Sequence, residues 1–130
     1  MKEEQKREVR VLIVDDERLA RVNLRGLLGE HPYVRVVGEA RNITEARQVL
    51  NATPVDLIFL DIQMPGGSGF DLLETLEHRP HVVFVTAHDH YVTHASASEA
   101  LDFLLKPVDP DRLGESLEKA LSYREDQSYP

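Results

Sequence analysis

The sequence has no cysteine, so no disulfide can staple the fold and no thiolate can hold a metal. That absence suits a reducing compartment, and a cytoplasmic chain is expected. Long apolar runs are also missing. The longest, such as 11–14 and 82–85, fall far short of the roughly 20 residues that a membrane-spanning helix needs. Residues 1–7 are charged and no signal-type apolar core follows them, so a soluble protein without a membrane partner is expected. Positive charge is scarce as well: 15 Lys and Arg stand against 23 Asp and Glu, a formal charge of −8. That is the wrong sign for gripping a phosphate backbone through counterion release, so this segment is not expected to bind nucleic acid directly. No internal repeat or low-complexity tract occurs.

What is present is a chain of 130 residues, the usual size of one domain with a real hydrophobic core. The expected divisions are a charged tail over 1–8, the domain over 9–123, and a frayed end or the start of a linker over 124–130. Val9–Val14 is a β-branched and apolar run that ends in Asp15 and Asp16. Similar runs cover 34–37 and Leu57–Leu60, then 82–85, closed by Thr86, and 101–105, closed by Lys106-Pro107. Continuous apolar runs of this length read as strands buried on both faces.

Between the strands the period changes. Leu19, Val22, Leu24, Leu27 and Leu28 recur at helical spacing, as do Ile43, Ala46, Val49 and Leu50. Residues 69–77 and 110–123 give two more helices, the second with Asp109 as N-cap and Pro110 at the first helical position. A weaker helix is expected over 91–99, where Thr93, Ser96 and Ser98 are poor helix formers. Strands that alternate with helices require a doubly wound α/β fold: a five-stranded parallel sheet with helices on both faces, joined by right-handed crossovers.

In such a sheet the ligand site forms beyond the carboxyl ends of the strands. Those ends carry Asp15 and Asp16, then Asp61, then Thr86, then Lys106. Any one of them alone is simply a polar loop residue, but five together are not explained that way. Three carboxylates in one crevice repel one another and cannot all stay ionised without a cation, and Mg²⁺ is the hard, oxygen-seeking ion that suits them. Thr86 and Lys106 then suit the oxygens of a phosphoryl group, one as a hydroxyl donor and the other as a point charge. The three glycines of Met64-Pro65-Gly66-Gly67-Ser68-Gly69 read as a turn needing positive φ and a flexible helix entry rather than a phosphate cradle. His88, Asp89, His90 and His94 read as exposed side chains of a loop and weak helix rather than a second metal site.

The segments VLIVDDE, DLIFLDIQMPGGSGFDLL, VVFVTAHD and ALDFLLKPVD occur in this order over roughly 9–123, and in them the sequence resembles the receiver domains of two-component response regulators. The resemblance implies strand order 2-1-3-4-5. It makes Asp61 the phosphoacceptor, Asp16 a direct Mg²⁺ ligand, Asp15 an acid that reaches the metal mainly through water, and Gln63 a ligand through its backbone carbonyl. It makes Thr86 the hydroxyl drawn toward the phosphoryl group, Lys106 its ion-pair partner and Phe103 the aromatic whose rotamer reports the state. The Lys106-Pro107 bond is then cis. Family members often have an acid where this chain has Ser68, which leaves the pocket untouched.

The resemblance also implies a sensor histidine kinase as phosphodonor and a homodimer of the phosphorylated form, through the face built from 91–99, 101–105 and 110–123. The run FVTAHDHYVTHASASEALDFLLKPVD is similar to the LytTR-type regulators in particular, which implies a longer transcriptional regulator that reads DNA through an output domain outside this segment. Two other readings stand beside it: a stand-alone receiver that signals by docking, and a Mg²⁺-dependent aspartyl-phosphate phosphohydrolase. The latter usually needs a second acid two residues after the nucleophile, where this chain has Gln63.

Overall fold

The computed structural model of the protein describes residues 8–76, 80–87 and 100–127. The expected helix over 91–99 and the histidines at 88, 90 and 94 lie outside the described residues. The main sheet has strands β1 (Val9–Val14), β2 (Val34–Ala40), β3 (Leu57–Leu60), β4 (His81–Thr86) and β5 (Asp102–Leu105). They lie in the order β2-β1-β3-β4-β5, every neighbouring pair parallel, which is the doubly wound order that the family resemblance implied. Helices α1 (Arg18–Leu28), α2 (Ile43–Ala52) and α3 (Gly69–Glu74) and a C-terminal helix (Pro110–Gln127) cover the sheet.

The alternation of side chains along each strand sorts the core into two layers. Val9, Val11 and Ile13 of β1 join Leu57 and Phe59 of β3 and Val83 and Val85 of β4 under Leu24 and Leu28 of α1 and Leu113 and Leu117 of the C-terminal helix. Leu12 and Val14 join Ile58, Leu60 and Phe84 on the opposite face, under Ala46 of α2 and Leu72 of α3. Because both faces are covered, the inner strands are apolar except at Arg10 of β1 and at the two ends of β4, His81 and Thr86, and β3 is an unbroken apolar run.

Several details differ from the sequence reading. β2 continues to Ala40, past the apolar run, because the ladder shifts register after the Val11–Val36 pair and resumes with Leu12 opposite Gly38. Leu19 and Val22 share the helical spacing of α1, yet they are 78% and 52% exposed, while Leu24 and Leu28 are the buried pair. β5 starts at Asp102 rather than at 101, although the Leu101 N–H still donates to the Val82 carbonyl at 2.8 Å. The C-terminal helix extends to Gln127, into the stretch expected to fray. Its Asp109 cap is present, with Asp109 Oδ2 accepting from the Arg112 N–H at 3.0 Å. Among the described residues no helix is long and apolar enough to cross a membrane.

The segment after β3 forms an antiparallel ribbon of Gln63–Met64 and Gly67–Ser68 that alternation did not reveal. It turns at Gly66, where φ is +86°. Gly69 answers a different need: a Cβ there would lie 2.5 Å from the Asp61 carbonyl oxygen and 3.0 Å from Leu60 Cγ. Gly69→Ala is therefore expected to destabilise the domain by about 1–3 kcal/mol, as overpacking does. Gly26, exposed in the middle of α1 with open space where a Cβ would stand, is the control. Gly26→Ala should stabilise by about 0.5–1 kcal/mol. Urea unfolding of both variants measures the pair, and equal signs would contradict the assignment.

Candidate phosphoacceptor site

Parallel strands release their chains at one edge of the sheet, and the register brings the following residues side by side. Val14 lies opposite Leu60, and Thr86 opposite Leu105. The ladder runs one bond further: the Asp15 N–H donates to the Ala40 carbonyl at 3.0 Å, the Asp61 N–H to Val14 at 2.9 Å and the Lys106 N–H to Thr86 at 2.8 Å. Asp15, Asp61 and Lys106 thus belong to the rigid sheet even though each looks like a loop residue in sequence. Such placement gives reactive side chains a fixed base.

Their side chains meet. Lys106 Nζ lies 2.7 Å from Asp15 Oδ2, 3.3 Å from Asp61 Oδ2 and 3.5 Å from Glu17 Oε1. One oxygen from each of Asp15, Asp16 and Asp61 lies within 4.8 Å of the others, close enough for one metal ion to take all three. Asp15 and Asp61 are buried, whereas Asp16 is exposed. Thr86, at the end of β4, is fully buried, and its carbonyl takes the Lys106 N–H. The Lys106-Pro107 bond is cis.

One ammonium group faces several carboxylates, and the proton equilibria reflect it. Burial is the main influence on Asp61, pushing its carboxyl up from 3.8 to about 6. Lys106 pulls it down, the Asp15 charge pushes it up, and bonds from Lys106 and the Gln63 backbone pull it down again. Burial alone would lower the Lys106 ammonium, but its bond to Asp15 and the charges of Asp61 and Asp15 outweigh it, and the pKa is raised. The donor set is all oxygen and carries more negative charge than Lys106 neutralises, which fits a hard divalent cation.

The structure brings Asp15, Asp16, Asp61 and Lys106 together, with Thr86 alongside. Phe103, on β5 opposite Phe84, is half-buried and packs against the core layer that holds Leu12 and Leu60. Gln63 is exposed on the ribbon. Sequence reasoning passed over Glu17, the third acid of VLIVDDE, whose carboxylate comes within ion-pair range of Lys106. It also assigned no role to Ser68. Ser68 is the N-cap of α3: its hydroxyl accepts from the Asp71 N–H at 3.4 Å while Asp71 Oδ2 accepts from the Ser68 N–H at 2.9 Å.

Comparison with known proteins agrees with this geometry. Residues 11–118 match the family described as the response regulator receiver domain. An uncharacterized response regulatory protein of Vibrio cholerae is 44% identical over 120 residues, covering 91% of this chain and 51% of its own length. The transcriptional regulatory protein BtsR of Escherichia coli K12 is 45% identical over 121 residues, covering 92% of this chain and 51% of its own. This chain therefore spans about half the length of these relatives. Among solved structures, the response regulatory domain of mrkE from Klebsiella pneumoniae superimposes with a TM-score of 0.81 at 33% identity, covering 91% of this chain and 99% of that one. The REC domain of AraT, a response regulator from Geobacillus stearothermophilus, gives 0.81 at 31% identity, over 92% and 97% of the two chains. The chain belongs to the receiver domain family of two-component response regulators.

The raised pKa of Asp61 has a consequence for stability. Between its unfolded value of 3.8 and about 6 the folded protein keeps a proton that the unfolded chain has lost. The stability this group contributes is therefore fully present below about pH 4 and is lost as pH rises through about 6. Asp61→Asn has no such loss. In EDTA, its melting temperature relative to the parent should rise between pH 4 and pH 6 and level off above, and saturating Mg²⁺ should narrow the difference by stabilising the parent. A difference independent of pH would contradict burial of an ionisable Asp61 as the cause.

Proposed function

We propose that Asp61 accepts a phosphoryl group from a sensor histidine kinase in a Mg²⁺-dependent reaction and thereby switches the output of a longer protein. The observation that carries this reading is Asp61 Oδ2 at 3.3 Å from Lys106 Nζ inside a ring of carboxylates. Asp15, Asp16, Asp61 and the Gln63 backbone carbonyl would hold the ion. When bound, Mg²⁺ supplies charge neutralisation for phosphoryl oxygens. Asp61 supplies the attacking oxygen: its bond to phosphorus forms as the bond to the donor imidazole nitrogen breaks, and that nitrogen keeps the electron pair. Lys106 then turns from a carboxylate pair to the phosphoryl oxygens, so the domain assists its own modification.

The new group adds roughly −1.5 to −2 charge and strong acceptors, and on this reading Thr86 supplies the hydroxyl that answers it. Movement of Thr86 frees space for Phe103 to turn inward, reshaping the β5 face. The active form on this reading is a homodimer through that face, with 91–99 contributing from outside the described residues. The similarity to BtsR, whose name is that of a transcriptional regulator, and the coverage of half its length favour a longer transcriptional regulator; on this reading it is of the LytTR type that the run from Phe84 to Asp109 resembles, and it reads DNA through another domain. Gln63, where a phosphohydrolase would need its second acid, weighs against the enzymatic reading.

Small phosphodonors test the chemistry. Parent protein with Mg²⁺ should take up label that hydroxylamine removes, and Asp61→Asn should take up none; full labelling of the variant by mass spectrometry would refute the assignment. Thr86→Ala should still be labelled but lose most of the beryllofluoride-induced association seen by sedimentation. If it associates as the parent does, Thr86 has no part in the switch.

A further inference from the structure

Helix α1 follows directly on Asp15, Asp16 and Glu17, acids that suit its start, but its own first turn opens with arginine. Its first turn has no acid, and its N-cap, Glu17, makes no side-chain capping bond. Arg18 and Arg21 instead bring positive charge to the positive end of the helix dipole, which costs a few tenths of a kcal/mol or more per charge. An arginine in that place needs a reason from elsewhere in the fold. For Arg21 the reason is visible: its Nη1 donates to the Asp15 backbone carbonyl at 2.7 Å, and its Nε lies 3.3 Å from Glu39 Oε1. The Arg21 side chain is only 12% exposed. Glu39 is held in turn by Arg25 through its other carboxylate oxygen. Glu39 and Ala40 close β2 directly beside the end of β1, with Ala40 taking the Asp15 N–H.

We propose that Arg21 is a positioning residue for the acidic pocket: with Glu39 aiming its guanidinium, it fixes the Asp15 peptide and so the directions in which Asp15, Asp16 and Glu17 leave β1. The other polar groups of Asp15 already have partners. Its N–H goes to Ala40, Oδ1 accepts from the Glu17 N–H at 2.9 Å, and Oδ2 meets Lys106. The carbonyl is the remaining handle, and it is the one that the next residue, Asp16, hangs from. Without Arg21, mutual repulsion of the carboxylates is free to rotate the Asp15–Asp16 peptide and splay the pocket. Planarity makes the arginine hard to replace, because a lysine is a point charge that cannot hold a carbonyl and a carboxylate in two fixed directions.

The Mg²⁺ arm of the test rests on the function proposed above; the second arm does not. In Arg21→Ala, Mg²⁺ affinity by titration should fall about tenfold or more, the usual effect of removing a residue that orients metal ligands. Phosphorylation by a small phosphodonor should recover largely at saturating Mg²⁺. Arg21→Lys should melt near the parent yet regain only part of the affinity, and adding Glu39→Ala to Arg21→Ala should cost little more than Arg21→Ala alone. In metal-free protein, amide exchange should quicken at Glu17 while the amides of β3 and β4 stay protected. If Arg21→Ala does not fold, Arg21→Lys and Glu39→Gln provide the same readings. Parental Mg²⁺ affinity together with a uniform rise in exchange would make Arg21 an ordinary staple of α1 and overturn the proposal. If the parent itself binds no Mg²⁺, the proposed function fails, and exchange at Glu17 alone then decides for or against Arg21.

Discussion

The ammonium of Lys106 lies between the carboxylates of Asp15 and Asp61, and the rest of the molecule is arranged around making that contact possible. Two buried acids beside each other are unfavourable, and a single buried cation is unfavourable too. Together they form a site that is tolerated, although burial still pushes Asp61 up to about 6. A buried carboxyl shifted in this way is typical of functional sites. The sheet supplies the rigidity that prevents the acids from simply turning away.

Three of the strands that reach the pocket, β1, β3 and β5, are each anchored by a device of their own. β3 is held in place where Gly69 lets the start of α3 come against the Asp61 carbonyl. β5 is tied to the C-terminal helix through Asp102, whose Oδ2 accepts from the Ser116 hydroxyl at 2.6 Å. Arg112 Nη2 reaches Asp102 Oδ1 at 3.2 Å and the Phe103 carbonyl at 3.1 Å. Burial would raise the Asp102 pKa, but those bonds outweigh it and hold the carboxyl below its usual value. The clasp fixes the backbone of Phe103, three residues before Lys106, and its ring is half-buried. β1 has the latch formed by Arg21 and Glu39.

Most of the architecture could be read in the residues. Unbroken apolar runs such as Leu57–Leu60 announced strands covered on both faces, and the polar residue after each run announced the site. Where reading stopped short, a local signal was missing. The bulge opposite Val11–Leu12 carries β2 into Gly38 and Glu39, which look like loop. Leu19 and Val22 fit the helical period, but periodicity cannot tell which side of a wide stripe meets the sheet. The Gln63–Met64 ribbon is too short to show alternation at all.

The sequence by itself determined the order of elements, the two-layer core and the identities of the acids, threonine and lysine at the strand ends, because burial on both faces and the one-way direction of parallel strands leave little freedom. Only the tertiary structure decided the couplings between them. That Lys106 divides itself between Asp15 and Asp61, that Glu17 joins them, that Gly69 is needed for space rather than for φ, and that Arg21 reaches back to a carbonyl of β1 all depend on distances across residues far apart in the chain. A sequence shows which groups exist; contact between side chains and backbone carbonyls follows no period, so only the folded arrangement fixes it.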